Sequence, residues 1–231
     1  MSKAFKFIVA IACVVAAFLI LHRKSYSDNP QIAAVQRLAE RVTGEFPEGF
    51  DFRLAGEDDW FRLESAEGKI VITGNNANSL AVGFNHYLKY WCNKTVGWFK
   101  DEKVTLPGKL PVIEDPVEVH ARAEDRFFLN YCTFGYTMPW WGWKEWERFI
   151  DWMALNGVNM PLATTGEEAV WQRVWRRFGL SDEQIRAHFT GPAHLAWHRM
   201  VNINSFQGPL PQDWIDSQAE LEKKILQRER S

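Results

Sequence analysis

The sequence predicts an α/β chain in two parts, a small α+β region followed by the opening units of a parallel β/α sheet. Three observations carry this reading. Helical and alternating segments interleave between Asp28 and about Glu124, and Pro107, Pro111 and Pro116 mark a linker near the end of that stretch. From Arg126 the pattern becomes strand, helix, strand, helix, with a glycine closing the first helix. That rhythm is how a chain joins parallel strands through crossover helices.

In the first part, Ile32, Val35, Leu38, Ala39 and Val42 recur at helical spacing, and Gly44 follows as a stop. Phe50–Leu54 alternates like a strand. Trp60–Glu64 and Lys69–Thr73 flank Glu67-Gly68, which reads as a hairpin turn. A second amphipathic helix runs from Ser79 to about Trp91, with Leu80, Phe84, Tyr87, Leu88 and Trp91 on one face. Val96–Phe99 and Val104–Leu106 read as short strands. No residues in this region group for catalysis.

The second part opens on Phe127–Cys132 (FFLNYC), read as a strand in which Phe128, Asn130 and Cys132 share one side. Five tryptophans then fall within the fifteen residues Met138–Trp152. Trp143, Trp146, Phe149, Ile150 and Met153 form the apolar stripe of a helix that ends at Asn156-Gly157, so Trp143 and Trp146 are expected against the sheet. Trp140 and Trp141 lie in the loop before it, open to ligand contact or to packing. Val158–Ala163 is the next strand, and Glu167–Arg177 the next helix, carrying Val170, Trp171, Val174 and Trp175. Ser181–Gln184 is a capping box opening another helix, and Pro192–Met200 and Asp213–Arg228 are two more. In an α/β barrel, chemistry gathers at the C-terminal ends of the strands. That places Asn130, Cys132 and the turn Thr164–Glu168 at the active end.

A chain of 231 residues, 46% apolar, can bury one or two cores. A net charge of −2 and no basic run beyond Arg176-Arg177 and the mixed-charge tail argue against a nucleic-acid partner. There is no Walker loop, dinucleotide-binding glycine fingerprint or C-x-x-C pair. Lys3 and Lys6 precede an apolar run, Phe7–Leu21, whose fifteen residues would rise about 22 Å as a helix, short of a ~30 Å hydrocarbon core. Residues 1–27 therefore read as a cleaved secretory signal or, given His22-Arg23-Lys24, a retained signal anchor. The expected location is exported: secreted, periplasmic or lysosome/vacuole-like, with a membrane met only through that anchor. Beyond it only Cys92 and Cys132 remain, so no disulfide scaffold is expected, and Asn93-Lys94-Thr95 is a glycosylation sequon. His194 and His198 are four apart but lack an acidic third ligand nearby, so no metal is expected.

The strings NYCTFGYTMPWWGWKEWERFIDWMALNGVNMPLA, EEAVWQRV, FTGPAHLAWHRM and GPLPQDW resemble the alpha-N-acetylglucosaminidases, glycoside hydrolase family 89, over essentially everything from Arg126 onward. YLKYWC and VTLP resemble that family's N-terminal domain more loosely. The resemblance implies an N-terminal α+β domain over residues 28–118 and an incomplete (β/α)8 TIM barrel over residues 124–231, about the first two β/α units. It further implies an exo-hydrolase that removes terminal α-linked N-acetylglucosamine from glycans, heparan-sulfate-type or bacterial and host. The implied mechanism is retaining, with two glutamates and no cofactor. Retention needs two carboxyls roughly 5–5.5 Å apart. By resemblance both lie on later barrel strands, beyond Ser231. Glu124–Ser231 is 108 residues, against roughly 250 for a whole barrel. The chain accordingly reads as the inactive front portion of the enzyme, with no catalytic residue of its own.

The resemblance also places candidate substrate-binding residues. The matching Asn and Cys, Asn130 and Cys132, line the N-acetylglucosamine pocket, where an amide suits hydroxyl and acetamido groups. Barrel-interior filling is the other reading. Glu168 is a substrate-hydroxyl contact or a charge compensating the helix N-terminus, and Glu167 stands where relatives commonly carry Gln. Trp197 matches a tryptophan near the substrate, with core packing as the other reading. Cys92 lacks the second cysteine that relatives carry just after it, so it is expected as a free buried thiol. Two other functional readings stand beside the leading one. One is a non-catalytic carbohydrate-binding or anchored protein, the other a hydrolase using Asp151, Glu167 or Glu168 directly.

Overall fold

The computed structural model describes residues 25–231. The signal or anchor reading of residues 1–27 falls almost wholly outside them. Among the described residues no helix is long and apolar enough to cross a membrane.

The first unit contains α1 (Pro30–Thr43), β1 (Phe50–Leu54), β2 (Trp60–Ala66), β3 (Lys69–Gly74), α2 (Ala77–Tyr90) and β4 (Val117–His120). Asn29 starts α1, its side chain accepting from the Gln31 and Ile32 amides, and Gly44 ends it at φ 82°. The expected hairpin forms: Ala66 pairs with Lys69, and Glu67 and Gly68 both take positive φ, 53° and 77°. The sheet order is β1-β3-β2-β4, with β1 parallel to β3 and β2 antiparallel to both neighbours. β4 is a correction, because Val117–His120 follows directly on the expected linker yet pairs with Trp60–Leu63. Conversely, Val96–Phe99 and Val104–Leu106 join no ladder; the Val104 amide donates instead to the Val42 carbonyl at 2.8 Å. Both helices cover one face of the sheet around Leu38, Phe52, Leu63, Ile72, Phe84 and Leu88.

The second unit contains β5 (Phe127–Phe128), α3 (Tyr131–Thr137), α4 (Trp143–Leu155), β6 (Met160–Pro161), α5 (Glu167–Arg177) and α6 (Asp182–His188). A 3-10 turn (Pro192–His194), α7 (Leu195–Arg199) and α8 (Gln212–Glu229) follow. β5 and β6 are parallel, Phe127 opposite Met160, so the crossover through α4 is as the rhythm implied. Both strands are shorter than expected. The first ends at Phe128, Leu129 turns at φ 83°, and Asn130 caps α3. Asn130 and Cys132 therefore do not share a strand face. A two-residue ladder offers few hydrogen bonds, and the asparagine's capping preference wins.

The α4 stripe buries Trp146, Phe149, Ile150 and Met153 with Phe134, Met138 and, from α8, Leu221 and Ile225; Trp143 packs half-buried at its edge. On α5 the expected apolar stripe divides. Val170 and Val174 are exposed, Glu168 and Gln172 are buried, and Trp171 and Trp175 pack on Phe189. The units are joined by Asp151, which accepts from Arg41 at 2.7 and 2.8 Å and from Arg228 at 2.6 Å. Asn85 Nδ2 adds a 2.7 Å bond to the Leu155 carbonyl, and Asp59 pairs with Arg126 at 2.6 Å.

Candidate functional site at the ends of the paired strands

β5 and β6 run parallel, so their C-terminal ends deliver Asn130–Cys132 and Thr164–Glu168 to the same side. Asn130 Oδ1 is committed to the cap, accepting from the Thr133 amide at 3.0 Å and its hydroxyl at 3.1 Å. The Nδ2 group of this exposed residue is left to donate outward. Cys132 is a free, half-buried thiol in the first turn of α3.

Trp197 reaches this place through helix packing. α3 and α7 meet at Gly135, where a β-carbon would lie 2.7 Å from the Trp197 ring. No larger residue fits without moving the indole. The half-buried Trp197 then stands edge-to-face with Tyr136, ring centroids 5.5 Å apart.

Glu168 sits in the first turn of α5, as the helix-charge reading expects, but its chief contact is elsewhere. Its carboxylate takes both arms of Arg199, Nε at 2.9 Å and Nη2 at 3.0 Å, in a pair with almost no solvent exposure. The Arg199 guanidinium also lies 4.7 Å over the Phe134 ring. Glu167 is 3.8 Å from Arg199. Burial pushes the Glu167 carboxyl up, opposed by Arg199 and by its hydrogen bond with Tyr131. Burial, reinforced by Glu167, pushes the Tyr131 phenol up as well. Arg199 Nη1 and the hydroxyls of Thr164 and Thr165 are buried without a hydrogen-bond partner among the described residues.

Arg199, Tyr131 and Glu222 were not singled out from the sequence. Burial pushes the Glu222 carboxyl to about 7, with Glu229 adding and Arg199 opposing. Arg199 lies 31 positions from Glu168, so no local spacing signals their pairing. Asp151 faces the first unit and is held by two arginines, away from these strand ends. His198 is buried, its imidazole pushed down by burial and then by His188, whose ring centroid is 5.0 Å away. Among the described residues no group of three or more His, Cys, Asp or Glu is placed to hold a metal. The loop tryptophans divide, Trp140 exposed and Trp141 packed on Trp98 and Phe149. Cys92 is free, and burial pushes its thiol up.

Comparison with known proteins places this geometry. Residues 126–231 match the model described as alpha-N-acetylglucosaminidase (NAGLU) tim-barrel domain, and residues 33–112 match that of the same family's N-terminal domain. The chain belongs to the alpha-N-acetylglucosaminidase family. Human alpha-N-acetylglucosaminidase is 35% identical over 96% of this chain. A family 89 glycoside hydrolase from Clostridium perfringens, solved with its substrate GlcNAc-alpha-1,4-galactose, superposes on 94% of this chain at 36% identity and a TM-score of 0.83. The same enzyme with PUGNAc gives a TM-score of 0.82. The chain spans 31% of the human alpha-N-acetylglucosaminidase and 25% of the bacterial one. Its second unit is thus the partial TIM-barrel region of the family, preceded by the family's N-terminal domain.

Proposed function

We propose that this chain supplies the N-terminal domain and first two β/α units of a retaining alpha-N-acetylglucosaminidase, acting on terminal α-linked N-acetylglucosamine of a glycan. The observation that carries the proposal is Asn130: one side of its amide builds the start of the helix that carries Cys132 and packs on Trp197, and the other side of this exposed residue is left to donate. Retention needs one protonated and one ionised carboxyl about 5–5.5 Å apart across the scissile bond. Here Glu168 is neutralised by Arg199 and Asp151 by Arg41 and Arg228. Neither therefore serves as the acid or the nucleophile; Glu168 holds Arg199 in place and Asp151 joins the two units.

Methyl α-N-acetylglucosaminide should bind the chain in saturation-transfer NMR, and methyl α-glucoside should not. Asn130→Asp keeps the cap acceptor but removes the Nδ2 donor, so it should retain the melting temperature and lose about tenfold in affinity, the size of one hydrogen bond. Unchanged affinity would return Asn130 to a purely structural role. An aryl α-N-acetylglucosaminide should not be turned over by the chain alone. Turnover abolished by Glu168→Gln would instead make this site catalytic.

We also propose export, with the product free outside the cytoplasm or held by a retained anchor. Lys3, Lys6 and the run Phe7–Leu21 support it. Mass of the N-terminus after fractionation distinguishes the two forms.

A further inference from the structure

The three segments that meet at this site share an unusual composition. Phe127–Trp143, Phe189–His198 and Met200–Gln212 contain no Lys, Arg, Asp or Glu, in a chain that is 24% charged. Arg199, which separates two of them, is buried and neutralised by Glu168. The segments are packed together, since Gly191 donates to the Phe206 carbonyl at 2.8 Å, Asn202 to the Trp197 carbonyl at 2.9 Å, and Gly135 seats Trp197. Along their joint surface runs an arc of rings. Tyr136 meets Trp197 at 5.5 Å, Trp197 meets His194 at 6.2 Å, and His194 meets Phe206 at 4.8 Å. Tyr136 is 77% and Phe206 51% exposed. The loop bearing Phe206 adds the exposed amides and hydroxyl of Asn202, Asn204, Ser205 and Gln207.

Resting on the function proposed above, we infer that this arc receives the sugar that carries the terminal residue, and that it takes neutral glycans rather than sulfated or uronate-bearing ones. Aromatic rings with neutral amides suit the apolar faces and hydroxyl rims of a neutral pyranose. A sulfate or carboxylate calls for Arg or Lys, whose bidentate or point-charge contacts make anion recognition strong. The three segments themselves offer no such side chain. An anionic sugar would lose hydration there without gaining a counter-charge.

The test uses the full chain and three probes: methyl α-N-acetylglucosaminide, GlcNAc-α-1,4-galactose, and that disaccharide with a 6-O-sulfate on galactose. The neutral disaccharide should bind roughly three- to tenfold tighter than the methyl glycoside, the gain of one aromatic contact. The sulfated disaccharide should gain nothing, and raising the salt should leave the neutral affinity unchanged. Phe206→Ala, at an exposed ring, should remove the disaccharide's advantage while leaving methyl glycoside binding intact. Equal or tighter binding of the sulfated probe, or an advantage that survives that substitution, overturns the inference. If the methyl glycoside does not bind at all, the function proposed above falls and this inference with it.

Discussion

The two units solve the burial of a sheet differently. In the first, four strands lie under α1 and α2, and one continuous apolar cluster takes in residues from both helices and β1, β2 and β3. In the second, two strands of two residues each are surrounded by helices whose side chains form two separate clusters. Phe127 and Met160 on the ladder, and Val170, Val174 and Phe178 along α5, remain exposed. A mixed sheet with short connections can close its own core, whereas a parallel pair needs cover on both faces. The second unit compensates with polar cement, namely the buried Glu168–Arg199 pair and the Asp151 junction. Its stability should therefore depend on single ion pairs, and that of the first unit should not.

The most severe test of this contrast is Glu168→Ala. It leaves the buried Arg199 guanidinium with only Glu167, 3.8 Å away, which costs up to about 3–5 kcal/mol. Hydrogen exchange should then rise through α5 and α7 while β1–β3 stay protected. Uniform loss of protection would mean that the two units unfold as one.

Asp151→Ala comes next. Its partners are part-exposed, with Arg41 27% and Arg228 17% accessible in their side chains. The expected cost is about 1–3 kcal/mol. Urea unfolding should change from one transition toward two, with the first unit's midpoint retained. A single unshifted transition would show that Asn85, Asn78 and the Asp59–Arg126 pair suffice to join the units.

The smallest effect is that of pH. Glu222 and Glu229, both on α8, are pushed by burial from 4.5 to about 7. Their folded forms hold protons that the unfolded chain releases above about 4.5, so stability falls as pH rises from there to about 7. Both carboxyls are partly solvated, and after that discount the loss is on the order of 1 kcal/mol. Melting of the second unit should drop between pH 5 and 8, with Glu222→Gln flattening the profile. A midpoint that rises over this range would contradict the assignment.

Much of the fold was legible locally. Gly44 and Gly157 end helices at positive φ, Glu67-Gly68 turns the hairpin, and Ser181 with Gln184 forms its capping box. The candidate site was legible only in part. The family-specific strings around Asn130, Cys132, Glu168 and Trp197 named segments that the fold packs together, but not what those side chains touch. Reading FFLNYC as one strand missed that asparagine competes for the backbone as a cap. The helical stripe proposed for α5 missed that its buried side holds Glu168, because that burial depends on an arginine far along the chain.

By itself, then, the sequence determined α1, α2, α4, α5, α6 and α8, the hairpin and the family, but not α3, since caps, turns and periodicity act over three or four residues. Tertiary structure alone decided that Val117–His120 becomes a strand, that β5 stops at Phe128, and that Arg199 neutralises Glu168. The first and last are contacts between residues distant in the chain, of which local spacing carries no record, whereas the end of β5 is a local competition between ladder and cap that the short pairing with Met160-Pro161 leaves to the cap.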